Sequence, residues 1–217
     1  MAQDDGLRER DMKKLKWRFS ASLEDHQKIA VAGLESGVGV THFCMLMSAY
    51  YRFHAGKRVC VVDLSGNADY SSMEQMYFGH KLAQEGGYFY NIHKLEFLVG
   101  DKGERLIQKA LAGAYEVVIF DCGTKARMFE KELLMCDKKY LLADCAPWKQ
   151  QALEQYLEAE QPKTGGQKQM FGYALGVEEN AQVIGEKYKI DMVHIPYIEN
   201  PFRMKKKQLE ALVRIME

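Results

Sequence analysis

Lys28–Thr41, KIAVAGLESGVGVT, is the stretch that decides how this chain folds. It starts as a run of β-branched and small apolar residues, passes through a glycine-spaced segment and leads into an apolar stretch beyond Thr41. Strand, loop and helix in that order make a phosphate-binding loop, where backbone N–H groups at a helix N-terminus face an anion. The candidate cofactor-binding residues are therefore Gly33, Glu35, Ser36, Gly37, Val38, Gly39, Val40, Thr41 and His42. The Walker form of such a loop places Lys between its last Gly and a Ser or Thr. Gly39-Val40-Thr41 has Val there instead.

The helix after the loop, Thr41 to His54, is apolar all round and predicts burial on more than one side. Ala55-Gly56 closes it. Arg58–Asp63 (RVCVVD) and Tyr115–Asp121 (YEVVIFD) are continuous β-branched runs, the pattern of parallel strands covered on both faces. Further strands are predicted over Lys94–Val99, Lys139–Ala143, Met170–Leu175 and Met192–Ile195. Helices are predicted over Asp101–Ala112, Ala126–Met135, Trp148–Ala159, Glu179–Tyr188 and Arg203–Met216. Residues 73–91, rich in aromatics and glycine, read only as a helical piece and an irregular connection.

Strand and helix alternate, which predicts an α/β fold: a doubly wound, mainly parallel sheet of about seven strands with helices on both faces. Right-handed crossovers then bring Thr41, Asp63, Asp121 and the turn at Pro147 to one sheet edge.

Two segments stand apart. Residues 1–25 read as a basic N-terminal arm or helix, with Leu15, Trp17 and Phe19 interleaved in and just after Arg8–Arg18 (RERDMKKLKWR). It either lies on the 26–217 domain or docks on an acidic partner or an anionic membrane surface. The last helix carries Leu209, Leu212, Val213 and Met216 for core packing, entered through the basic run Arg203–Lys207. That run is a solvated helix entry, or else a contact for a membrane surface or nucleic acid.

Bulk composition narrows the partners. Lys+Arg and Asp+Glu are both 30, so no global field favours nucleic acid. The five cysteines are odd in number, form no CxxC pair and mostly sit in apolar runs, which predicts a reducing, cytoplasmic compartment without disulfides. The six histidines are scattered and none pairs with Cys at zinc-ligand spacing. His42 reads as packed or solvent-facing rather than as an anion ligand.

The order of these motifs resembles the ParA/MinD group of deviant-Walker P-loop ATPases over roughly residues 27–217. That family's KGGxGK[ST] loop corresponds to Glu35-Ser36-Gly37-Val38-Gly39-Val40-Thr41. Its strand-plus-DxDxxxN motif resembles VVDLSGN, with Asp63 kept, Ser65 where the second Asp would stand and Asn67 present. Its Walker B strand resembles YEVVIFD, and its late IP resembles Ile195-Pro196. There is also a partial similarity to the TadZ/CpaE pilus-assembly branch.

The resemblance implies ATP or ADP with Mg as cofactor, with Thr41, Asp63 and Asp121 around the metal. It also implies a homodimer and a protein partner, in the cytoplasm or peripheral at a membrane. The departures fall on the chemistry. The two family lysines are Val40 and Glu35, and the Asp that supports water activation is Ser65. A lost Lys–phosphate bond removes about 1.5–3 kcal/mol. A bare carboxylate about 5 Å from phosphate adds roughly 3 kcal/mol of repulsion. The sum of about 5 kcal/mol is three to four decades of affinity. The expectation is a degenerate member acting as a localisation or assembly scaffold, weak or silent toward ATP. The alternative is a slow ATPase with a relocated lysine, for which Lys57, Lys125 and Lys149 are nearest in the chain.

Overall fold

A computed structural model describes residues 26–80, 87–100, 103–125, 134–160 and 169–216. The arm expected over 1–25, the loop 162–167 and most of the helix expected over 126–135 lie outside these residues.

β1 (Gln27–Gly33), β2 (Val59–Asp63), β5 (Val117–Asp121), β6 (Lys138–Cys145), β7 (Gln169–Gly176) and β8 (Met192–His194) run parallel with β4 (Leu95–Val99). β3 (Tyr88–Ile92) is antiparallel to β4. The sheet thus has eight strands, in the order β3-β4-β2-β5-β1-β6-β7-β8. The added strand is β3, which falls where the sequence showed only an irregular connection. β1 lies between β5 and β6, which puts the loop after it at the centre, where the chain departs to either side and open sheets bind ligands.

Period two along the strands sorts their side chains into two cores. Ile29 and Val31 face one side with Phe43, Leu46 and Met47 of α1 (Val40–Ala49), and with Leu212 and Ile215 of α6 (Lys206–Met216). Ala30 and Ala32 face the other with Leu106 of α3 (Gly103–Leu111), Leu153 of α4 (Gln150–Glu160) and Ile184 of α5 (Glu178–Tyr188). Helices therefore cover both faces, as the alternation predicted. Phe43, Leu46 and Met47 have no exposed surface, and each such burial contributes about 1.5–3 kcal/mol.

α1 does not end as an α-helix. Its last turn, Tyr50–His54, is a π-helix. The final helix starts at Lys206 rather than Arg203, because Asn200 Oδ1 accepts from Phe202 N–H and caps a separate 3-10 turn, Pro201–Arg203. All five cysteines are buried and free. Burial pushes every one of these thiols up, Cys145 to about 11 and Cys136 to about 12.

Candidate phosphate-binding site

The start of the loop between β1 and α1 is held from both sides, by the turn after β5 and by β6. Gly33 N–H donates to Gly123 O at 2.8 Å, and Leu34 N–H donates to Leu142 O at 2.9 Å. Gly37 and Gly39 sit at φ 85 and φ 93, a region that a side chain would strain. Gly39 O then accepts the first helical bond, from Phe43 N–H at 2.9 Å. The loop therefore turns and starts α1 as a phosphate loop does. It encloses an open cavity of about 290 Å³ lined by residues 35–42 together with Asn67, Asp69, Gly123 and Thr124.

The side chains tell a different story. Val38 and Val40 are buried, and a Cβ on Gly33 would come within 2.6 Å of a Val38 methyl and 2.9 Å of a Val40 methyl. The position of the Walker lysine is thus packed into the β1–α1 junction. Glu35 binds Lys149 Nζ at 2.6 Å, so its charge is largely matched and the bare-carboxylate repulsion is reduced. Lys125 Nζ lies over Gly66, where an added Cβ would approach it to 2.5 Å. Lys57, by contrast, sits at the opposite edge, before β2, and pairs with Glu116 at 3.1 Å. It is no candidate for a relocated lysine.

The three residues expected around a metal are brought to one edge. Asp63 and Asp121 are register partners at the ends of β2 and β5. Each already has partners. Asp63 Oδ1 accepts from Ser65 N–H (3.0 Å), Ser65 O–H (2.7 Å) and Gly66 N–H (3.3 Å). Asp121 Oδ1 accepts from Gly123 N–H at 3.0 Å, and Oδ2 from the Tyr70 hydroxyl at 2.9 Å. Thr41 O–H donates to Asp69 Oδ2 at 3.1 Å. Ser65 Oγ accepts in turn from Asn67 N–H at 3.0 Å, so it braces the loop.

Burial raises the carboxyl pKa of Asp121, against the nearby Thr41 hydroxyl and the bonds from Gly123 and Tyr70; the Asp63 charge adds to the rise. Burial also raises that of Asp63, against bonds from Ser65 and Gly66, with Asp69 adding to the rise. The donor set thus suits a divalent cation in residue type, but a cation would have to compete with Tyr70 for Asp121. Among the described residues, no group of three or more His, Cys, Asp or Glu side chains is placed to hold a metal.

His42 lines the cavity and also packs on the segment after β8. Its ring stacks on Tyr197 at 5.2 Å, and Nε2 accepts from Ile198 N–H at 3.3 Å. Burial lowers its pKa. Sequence reasoning missed Asp69, Tyr70 and the Glu35–Lys149 pair. The first two lie in α2 (Asp69–Phe78), just past the stretch DLSGN, and contact partners far away in the chain.

No protein-family model matches the sequence, and no curated protein matches it. Solved structures do. A plasmid partition protein of Borrelia burgdorferi bound to AMPPNP superposes with a TM-score of 0.65 at 13% identity, over 88% of this chain and 98% of that one. MinD in the MinC:MinD complex of Aquifex aeolicus gives 0.60 at 13% identity, over 88% and 95%. MinD of Pyrococcus horikoshii with Mg-ADP gives 0.54 at 15% identity, over 88% and 94%. At such identities the likeness is one of fold. The fold is that of the ParA/MinD type of P-loop nucleotide-binding protein.

Proposed function

We propose that this chain is a ParA/MinD-type module that has lost efficient ATPase chemistry and works as a localisation or assembly scaffold. The observation that carries this reading is the charge of the phosphate loop. Val40 is packed where a lysine would reach phosphate, and Glu35 is locked to Lys149 at 2.6 Å. Phosphoryl transfer depends on positioning and charge neutralisation, and both cations of the loop are missing. A nucleotide held here would rest on the backbone N–H groups of residues 36–41 and the Thr41 hydroxyl, with Asp63 and Asp121 nearest to any Mg.

Such a scaffold would act through a protein partner and a second copy of itself, in the cytoplasm or at a membrane surface. The basic run Arg203–Lys207 and the arm Arg8–Arg18 are the segments suited to anionic surfaces. Among the described residues no helix is long and apolar enough to cross a membrane.

A second reading, a slow ATPase with a relocated lysine, is favoured by Lys149, which pairs with Glu35 of the loop, and by Lys125, whose ammonium group lies over Gly66 in the neighbouring loop after β2. Calorimetric titration with Mg-ATP, paired with a phosphate-release assay, separates the two. The scaffold reading expects binding weaker than about 100 µM and no turnover above background. Tighter binding that Thr41→Ala weakens tenfold or more overturns it. Turnover abolished by Lys125→Ala or Lys149→Ala establishes the second.

A further inference from the structure

A larger cavity, about 820 Å³, opens at the other end of α1. It lies about 15 Å from the phosphate loop, taking ten residues from His42 to Arg52 at 1.5 Å each. Four segments meet around it: the π turn of α1, the last turn of α2, the β3–β4 turn and the 3-10 turn after β8.

Its charge is one-sided. Arg52, Lys94 and Arg203 line it, and no Asp or Glu does among the described residues. None of the three forms an ion pair among the described residues. Arg52 Nη1 reaches Lys57 O at a long 3.4 Å, while its Nε is buried with no hydrogen-bond partner there.

The rest of the lining is aromatic. Tyr77, His93 and Phe202 meet mutually, with His93–Phe202 at 4.8 Å, Tyr77–His93 at 5.7 Å and Tyr77–Phe202 at 6.5 Å. Tyr77 is 41% exposed, which leaves ring surface open to a ligand.

The β3–β4 turn adds an independent sign. His93 and Lys94 are both left-handed, at φ 52 and φ 65. A two-residue hairpin turn of this kind favours Asn-Gly, yet it carries the two side chains that line the cavity. Strained backbone beneath functional side chains, and a π turn in the same wall, both occur preferentially at binding sites.

We propose that this cavity is a second ligand site, for a small phosphate ester carrying a flat ring, the chemistry of nucleoside mono- and diphosphates. The Arg203 guanidinium offers paired donors to phosphate oxygens, and Arg52 and Lys94 add positive charge. The ring stacks on the open aromatic face. A volume of about 820 Å³ with walls from four segments holds a molecule of that size. The site does not depend on the phosphate loop.

The test is calorimetric titration of the full chain, without Mg, using AMP, ADP, GMP and GDP as probes, with pyrophosphate and adenosine as the separated halves. At least one nucleotide should bind tighter than about 1 mM and at least about tenfold tighter than either half. The double variant Lys94→Glu/Arg203→Glu, at two exposed positions, should keep the wild-type circular dichroism and weaken binding about tenfold or more. Thr41→Ala should leave that binding within about twofold. The proposal is overturned if none of the four binds at about 1 mM, if the charge-reversed variant binds as the wild type does, or if Thr41→Ala removes the binding.

Discussion

Two cavities share one helix and differ in charge. The one at the N-terminus of α1 keeps the backbone of a phosphate loop, but its charged lining residues are Glu35 and Asp69. The one at the C-terminal end lacks any such backbone cradle, yet it is lined by Arg52, Lys94 and Arg203 with no carboxylate among the described residues. Shape and charge for holding phosphate therefore stand at opposite ends of the same element. The difference teaches what the fold itself requires. Gly37 and Gly39 are needed to turn the chain out of β1 and into α1, whatever binds there. A lysine in the loop is needed only by a ligand. A phosphate loop can outlast its chemistry because its backbone also closes the core.

The sharpest way to break the comparison is to give the first cavity its charge back. Glu35→Lys/Val40→Lys should tighten Mg-ATP binding by about a thousandfold, read by calorimetry with circular dichroism to check the fold, since Val40 is 8% exposed. If affinity stays put, charge is not what limits nucleotide binding at the loop. Glu35→Gln alone removes one negative charge and releases Lys149, and should tighten binding about tenfold.

Asp121 tests the carboxylates beneath the loop. Its folded pKa is raised by burial, so the stability linked to it is full below the unfolded carboxyl value and is lost as pH rises through the folded one. Asp121→Asn keeps an acceptor and removes the buried charge. At pH 8 it should raise Tm by about 2–4 °C, and the gain should vanish near the unfolded carboxyl value of about 4.

The smallest effect belongs to His42, which links the loop helix to the segment that goes on to Arg203. Burial depresses its pKa, so its contribution is present above about 6.5 and is lost as pH falls through the folded value. Between pH 7 and 5, His42→Gln should lose about 1–2 °C less in Tm than the wild type.

The central fold was legible because its strands are continuous β-branched runs ending in polar turns, as in β2 and β5. β3 was not, because its hairpin turn is His93-Lys94 and carries neither Gly nor Asn to announce it. The loop's backbone role was legible from glycine spacing. The state of its charges was not, because Lys149 reaches Glu35 from 114 residues away and Tyr70 reaches Asp121 from 51. Lys57 looked available because chain distance says nothing about which sheet edge a residue occupies. The second cavity draws on four segments that no local pattern connects.

The buried thiols carry a consequence for following this molecule in solution. Cys44 is on α1, Cys60 on β2 and Cys145 at the end of β6; Cys122 and Cys136 flank the connection between β5 and β6. Folded protein should resist an alkylating dye at all five, because each thiol is buried and held protonated. Labelling then measures opening, and the position labelled first names the part of the sheet that opens most easily. The chain comes with its own reporters, and a ligand that closes either end of α1 should slow the dye at Cys44.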